Sequence, residues 1–251
     1  MKRRALVVAN WKMNGQKASV KALTQALCGN LVSGASKEVV ICPPFVFLAQ
    51  LQEALVGSAL GLGAQNLYTE DKGAYTGEVA GPMLREFGCD FVIVGHSERR
   101  TLLGETDAFV AAKFAAALHN GLIPILCVGE SAAEREAGAT VAVVTRQLEA
   151  VMDQAGARAF LHAVVAYEPV WAIGSGMAAT PESAQAVHKA IRDLIATRDP
   201  EAAGKARIIY GGSVNVANSK QFFAQADVDG ALVGGASLDA EEFIAICASL
   251  D

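Results

Sequence analysis

The chain has 251 residues, 52% of them apolar and only 6% aromatic, so a sizeable core must be built mainly from Ala, Val, Leu and Ile. The formal net charge of −5 argues against nucleic acid or an anionic membrane surface as a partner, while a local cluster of donors leaves a small anionic substrate open. Five widely spaced cysteines (Cys28, Cys42, Cys89, Cys127, Cys247) show no metal-ligand spacing, and reduced buried thiols in a soluble cytoplasmic protein are expected.

The basic start, Met1-Lys2-Arg3-Arg4, is followed by an apolar run of residues 5–9 only. That is too short for a signal-peptide core, and no stretch of the sequence is long enough to span a bilayer. Residues 5–9 instead begin a series of β-branched runs that continues at 38–42, 60–64, 91–94, 123–127, 163–167, 207–210 and 231–233. Their spacing is roughly thirty residues, the length of a strand–helix–strand unit.

The segments between them carry helical periodicity. Val20, Leu23, Leu27 and Leu31 form one apolar stripe. Pro43-Pro44 is expected to open the helix after the second strand. Ser131 and Glu134 have capping-box spacing, and Gly138 is expected to split that segment into two helices. Val141, Val144, Leu148 and Val151 form a second stripe, and Ala184, Val187, Ile191 and Leu194 a third. Thr180 and Pro181 have the identities of an N-cap and a first helical residue.

No linker or low-complexity tract divides the chain, so residues 1–251 are expected to form one domain, a closed eight-stranded parallel (β/α)8 barrel. An open doubly wound sheet would favour a glycine-rich turn after the first strand, where this chain has Asn10-Trp11-Lys12.

Such barrels carry their chemistry at the C-terminal ends of the strands. Asn10 and Lys12 follow the first run, His96 and Glu98 the fourth, and Glu130 the fifth, whose last residue is Cys127. Glu168 follows the sixth, with a proline directly after it and glycines at 174 and 176, which is how a base would be placed beneath a lid. Gly211-Gly212-Ser213 and Gly234-Gly235 follow the last two, where backbone N–H groups commonly cradle phosphate. Each group alone has a plainer reading as a turn or a solvated charge. Gathered on one rim, they suit proton transfer next to a phosphorylated carbonyl compound.

The segments Asn10-Trp11-Lys12-Met13-Asn14-Gly15, Gly63-Ala64-Gln65-Asn66, Val94-Gly95-His96-Ser97-Glu98-Arg99-Arg100, Ala166-Tyr167-Glu168-Pro169-Val170-Trp171-Ala172-Ile173-Gly174, Tyr210-Gly211-Gly212-Ser213 and Val233-Gly234-Gly235 closely resemble the triosephosphate isomerase family. The resemblance runs along the whole chain and implies a TIM barrel. It further implies that Glu168 moves a proton between adjacent carbons of a triose phosphate, with His96 as neutral imidazole and Lys12 and Asn10 stabilising the enediolate. Asn10, Trp11, Lys12, Gly174, Ser213, Gly234 and Gly235 are expected to bind the substrate, with Glu98 and Cys127 supporting them and Glu130 in a similar role. No metal or organic cofactor is expected.

By the same resemblance the chain is a homodimer, with the loop of residues 65–78 placing Thr76 near the partner's Lys12 and His96. Ser175 and Met177 stand where the family commonly has Thr and Lys, which bears on lid motion and not on the reaction. Two rivals remain: another phosphate-binding barrel enzyme, such as a pentose-phosphate epimerase or an indole-forming lyase, and a non-catalytic scaffold. An epimerase would be expected to need a metal held by His and Asp, yet only His96 of the four histidines falls at the rim. A scaffold would be expected to lack one of Lys12, His96 and Glu168.

Overall fold

Every predicted run is a strand, with each end within one residue of expectation: β1 Ala5–Asn10, β2 Lys37–Cys42, β3 Gly61–Ala64, β4 Phe91–Val94, β5 Ile123–Val128, β6 Val164–Tyr167, β7 Arg207–Tyr210 and β8 Gly230–Val233. The structure, a computed structural model, describes residues 3–31, 34, 36–173 and 179–250. All strand pairs are parallel between sequence neighbours, and β8 returns to β1 with Leu6 opposite Gly230 and Ala9 opposite Val233. The result is a closed barrel with no free sheet edge.

The helices are α1 Lys17–Asn30, α2 Leu48–Ala54, α3 Gly81–Glu86, α4 Ser97–Leu103, α5 Asp107–His119, α6 Ala132–Glu136, α7 Thr140–Ala155, α8 Pro181–Arg198, α9 Pro200–Lys205, α10 Ser219–Phe223 and α11 Ala240–Ala248. No helix among the described residues is long and apolar enough to cross a membrane. The expected start signals work as read. Ser131 and Glu134 form a reciprocal capping box, Gly138 turns the chain at φ +69° between α6 and α7, and the Thr180 hydroxyl accepts from the Ser183 amide. Pro44 does not open an α-helix directly; it caps a 3-10 turn, Phe45–Phe47, and α2 follows. Val141, in the first turn of α7, is 56% exposed; Val143 joins Val144, Leu148 and Val151 on the buried face.

Strand pleating sorts the apolar runs into two cores. Leu6, Val8, Ile93, Ile125, Cys127, Ala166 and Leu232 fill the barrel interior. Val7, Ala9, Val94, Val128, Val165, Tyr167 and Tyr210 alternate with them and pack outward against the helices. This parity decides where the strand-end residues point. A residue following outward-facing Ala9 or Tyr167 turns in over the barrel mouth.

At the opposite end, Asp229 joins the last strands to the first. Its carboxylate accepts from Arg3 Nε (2.6 Å), Arg192 Nη2 (2.9 Å) and the Ile208 amide (2.8 Å), and its carbonyl accepts from the Leu6 amide. Asp227 continues the cluster, accepting from Arg192 Nε at 2.6 Å and Gln185 Nε2 at 2.6 Å. Burial raises the Asp227 carboxyl pKa, but Gln185 and Arg192 outweigh it, so the group stays below the usual carboxylate range.

Candidate active site

Asn10, Lys12, His96, Glu168, Ser213, Gly234 and Gly235 all line one cleft of about 370 Å³ at the C-terminal mouth of the barrel. Asn10 turns inward as the parity requires, and its Oδ1 accepts from the Lys12 amide at 3.0 Å. Lys12 is the only non-glycine at positive φ among the described residues (φ +51°). A left-handed conformation of this kind costs about 1–2 kcal/mol. It is clamped by the Asn10 contact and by Gln65 Nε2, which donates to the Lys12 carbonyl at 2.8 Å. The ammonium then reaches the Glu98 carboxylate at 2.5 Å.

His96 caps α4. Its Nδ1 accepts from the Glu98 amide at 3.3 Å, which leaves the ring proton on Nε2, facing Glu168 Oε1 at 3.0 Å. Burial lowers the His96 pKa, and the charge and contact of Glu168 raise it further in the other direction, giving a net upward shift. The amide at Nδ1 is the local feature opposing a second proton on the ring.

Glu168 is buried at the tip of β6. Its Oε2 accepts from the Ser97 amide at 2.8 Å, whereas Oε1 has no hydrogen-bond donor among the described residues. The His96 contact is close but not aligned as a hydrogen bond, so Oε1 is a buried oxygen with no donor of its own. Burial raises the Glu168 carboxyl pKa, but His96, the Ser97 amide and Lys12 outweigh it, and the net shift is downward.

The strand ends leave no room beside this carboxylate. A Cβ on Gly129 would lie 1.7 Å from the Glu168 carbonyl oxygen, and one on Gly212 would lie 2.2 Å from the Tyr210 hydroxyl oxygen. Gly129 is also fixed by Gln147, which accepts from its amide at 2.8 Å and donates to its carbonyl at 3.2 Å. Gly129→Ala is therefore expected to displace the Glu168 backbone. A misplacement of about 1 Å costs about 10²-fold in rate, so kcat should fall by that order alongside a lower melting temperature. An unchanged kcat would mean that the strand end can move without moving the carboxylate.

The other candidates fall in three places. Cys127 lies inside the barrel, its thiol pKa pushed well up first by burial and then by Glu168. Trp11 is 1% exposed in the outer core and is not among the cleft-lining side chains. Gly174, Ser175 and Met177, the expected phosphate donor and the two departures in the lid, lie outside the described residues.

Glu130 is buried and gathers the chain around Glu168. It accepts from the Tyr167 hydroxyl (3.1 Å to each oxygen), from Trp171 Nε1 (3.0 Å) and, through its carbonyl, from the Val170 amide (3.1 Å). The Arg135 guanidinium lies 4.1 Å from the Trp171 ring centroid and covers it. Ser97, Gln65 and Gly129 carry weight that their residue types do not announce. Two of them act through backbone groups, which leave no side-chain signature.

Fold and rim together define a parallel β/α-barrel protein equipped for acid–base chemistry at the strand ends. Comparison with known proteins narrows this class. Residues 5–250 match the family model for triosephosphate isomerase. The chain is 57% identical over 245 residues to the triosephosphate isomerase of Thiobacillus denitrificans, and 55% identical over 247 residues to that of Alcanivorax borkumensis, in each case covering 98% of both chains. It is 53% identical over 245 residues to that of Nitrosococcus oceani, again covering 98% of both. The chain belongs to the triosephosphate isomerase family.

Proposed function

We propose that this chain interconverts dihydroxyacetone phosphate and D-glyceraldehyde 3-phosphate, with Glu168 carrying a proton between the two reacting carbons. The observation that supports this most directly is the buried Glu168 carboxylate at the edge of the cleft, one oxygen tethered by the Ser97 amide and the other without a hydrogen-bond donor, 3.0 Å from His96 Nε2. His96 donates from Nε2 to the substrate oxygens and shuttles protons between them. Lys12 and Asn10 oppose the negative charge that develops on the enediolate; such preorganised donors are worth about 3–4 kcal/mol each. Ser213 and the N–H groups of Gly234 and Gly235, with Gly174 beyond the described residues, take the phosphate. Side chains and amides supply acid, base and electrostatics, so no cofactor enters the scheme. With this reaction goes the proposal of a cytoplasmic location, where a phosphorylated triose would be met. A coupled spectrophotometric assay with glyceraldehyde 3-phosphate, run with and without a chelator, tests the reading. Turnover indifferent to chelation is expected; no turnover, or metal dependence, would reopen the rivals.

We further propose a homodimer in which the loop of residues 65–78 completes the partner's site. Beside the cleft lies a second hollow of about 330 Å³, lined by Lys12, His96, Glu98, Leu102 and Leu103 among others. Around it Met13 is 95%, Leu102 76% and Leu103 64% exposed, an apolar surface suited to a partner. Thr76, within that loop, is itself exposed. Shortening that loop should yield monomers with kcat reduced by at least about 10²-fold, since Lys12 and His96 lose their outer support. Sedimentation alongside the assay checks this, and a fully active monomer would remove the partner from the mechanism.

A further inference from the structure

His188 lies in the middle of α8, completely buried, between two aromatic rings that end neighbouring strands. Its ring centroid is 5.9 Å from that of Tyr167, edge to face, and 6.4 Å from that of Tyr210. Tyr167 and Tyr210 are themselves 6.4 Å apart, so the three rings form a triangle directly beneath the rim. Nδ1 lies 3.1 Å from the Asp227 carbonyl. A carbonyl only accepts, so Nδ1 carries the proton and donates. Nε2 is then a buried lone pair, and it has no partner among the described residues.

A side chain serving only to fill this space would be apolar, because a buried unpaired acceptor costs about 1–3 kcal/mol. The histidine brings something an apolar ring does not, a donor that fixes its plane. Asp227, which receives that donor, is held by Arg192 and Gln185 and does not yield.

We infer that His188 is a positioning residue for the catalytic carboxylate: pinned to the Asp227 carbonyl, its ring sets Tyr167, and through Tyr167 the strand end that aims Glu168. The inference rests on reading Glu168 as the base. The connection is short. Tyr167 immediately precedes Glu168 and faces outward where Glu168 faces inward, so a rotation or shift of its ring moves the backbone carrying the carboxylate. Its hydroxyl also holds Glu130, which in turn holds Trp171, three residues beyond Glu168. His188 thereby steadies the chain on both sides of the base without touching substrate. Burial pulls its pKa down to about 4, so the ring stays neutral and the Nδ1 donor keeps one tautomer near neutral pH.

Two substitutions separate the ring from its donor. His188→Phe keeps a ring and removes the donor; His188→Asn keeps a donor near the Nδ1 position and removes the ring. Each is compared with the parent for kcat, KM, melting temperature and Trp171 emission, with buried Trp11 as a constant background. The expected result is a fall in kcat of about 10-fold for both, from a displacement well under 1 Å. KM should stay within about twofold, as for a group acting only on the reacting geometry. Trp171 emission should shift, because its indole N–H sits on the carboxylate that Tyr167 holds. A kcat within twofold of the parent in a folded variant, or a lowered kcat with unchanged Trp171 emission, overturns the inference. Failure of both variants to fold also overturns it, since His188 would then serve the fold alone. Glu168→Gln, assayed in parallel, keeps the two readings apart: if it is active, the base assignment fails whatever His188 does.

Discussion

Glu168→Gln is expected to lower kcat by about 10³- to 10⁴-fold, the upper range for a positioned general base, with KM changed little. Glutamine has the same length and can still accept from the Ser97 amide, so the strand end stays in place. What it lacks is an oxygen able to take a proton at the position of Oε1, the one with no donor of its own. Glu168→Asp tests the geometry separately. It keeps the carboxylate but withdraws it by roughly 1 Å, and a misplacement of that order costs about 10²-fold. Steady-state rates in both directions, with solvent-proton exchange into the substrate, check both variants. If glutamine supports near-parental kcat, the proton is moved by another group.

Lys12→Met should lower kcat by about 10²- to 10³-fold, as for loss of one preorganised electrostatic donor, and should raise KM as well. Methionine keeps an apolar stem of similar reach. It removes the only Lys or Arg among the described cleft-lining residues, whose Cε lies just 3.2 Å from where a Cβ on Gly234 would sit, beside the proposed phosphate site. A second effect adds to the first. Glu98 loses its partner at 2.5 Å while remaining 3.6 Å from His96 Nδ1, and an unpaired carboxylate there pushes the imidazole further toward protonation. That is the wrong form for a neutral donor. Measuring kcat and KM against ionic strength separates loss of substrate attraction from loss of stabilisation during the reaction. Kinetic constants near those of the parent would place Lys12 outside the site.

The strands were legible because a parallel barrel buries both faces of each one, and the resulting apolar runs stand out from everything around them. Once the strands are placed, so are Asn10, His96 and Glu168, since Asn10 ends β1, His96 lies two residues beyond β4 and Glu168 directly follows β6. Lys12 was nameable as a cation at the rim, but nothing in its identity shows a left-handed backbone held by Asn10 and Gln65. The Ser97 and Glu98 amides were invisible for a related reason. Every residue except proline has an N–H, and only the course of α4 decides which ones point at a carboxylate or an imidazole. Periodicity misplaced Val141 because it reads faces and not ends, and Val141 lies in the first turn of α7. Pro43-Pro44 marked a start correctly but not what starts, because proline suits the first turn of either helix type.

The first turn of α4 gathers what three different strands deliver. His96 caps it, the Ser97 amide tethers Glu168 from β6, and the Glu98 side chain holds Lys12 from beyond β1. The Glu168 carboxylate, the His96 imidazole and the Lys12 ammonium are thus registered to one another by three consecutive residues, and not by the mutual alignment of β1, β4 and β6 alone. Breathing of the barrel leaves their spacing intact so long as that turn holds. The same economy gives the site a single point of failure. Loosening α4, whose far end carries the exposed Leu102 and Leu103, would silence the enzyme all at once instead of by degrees.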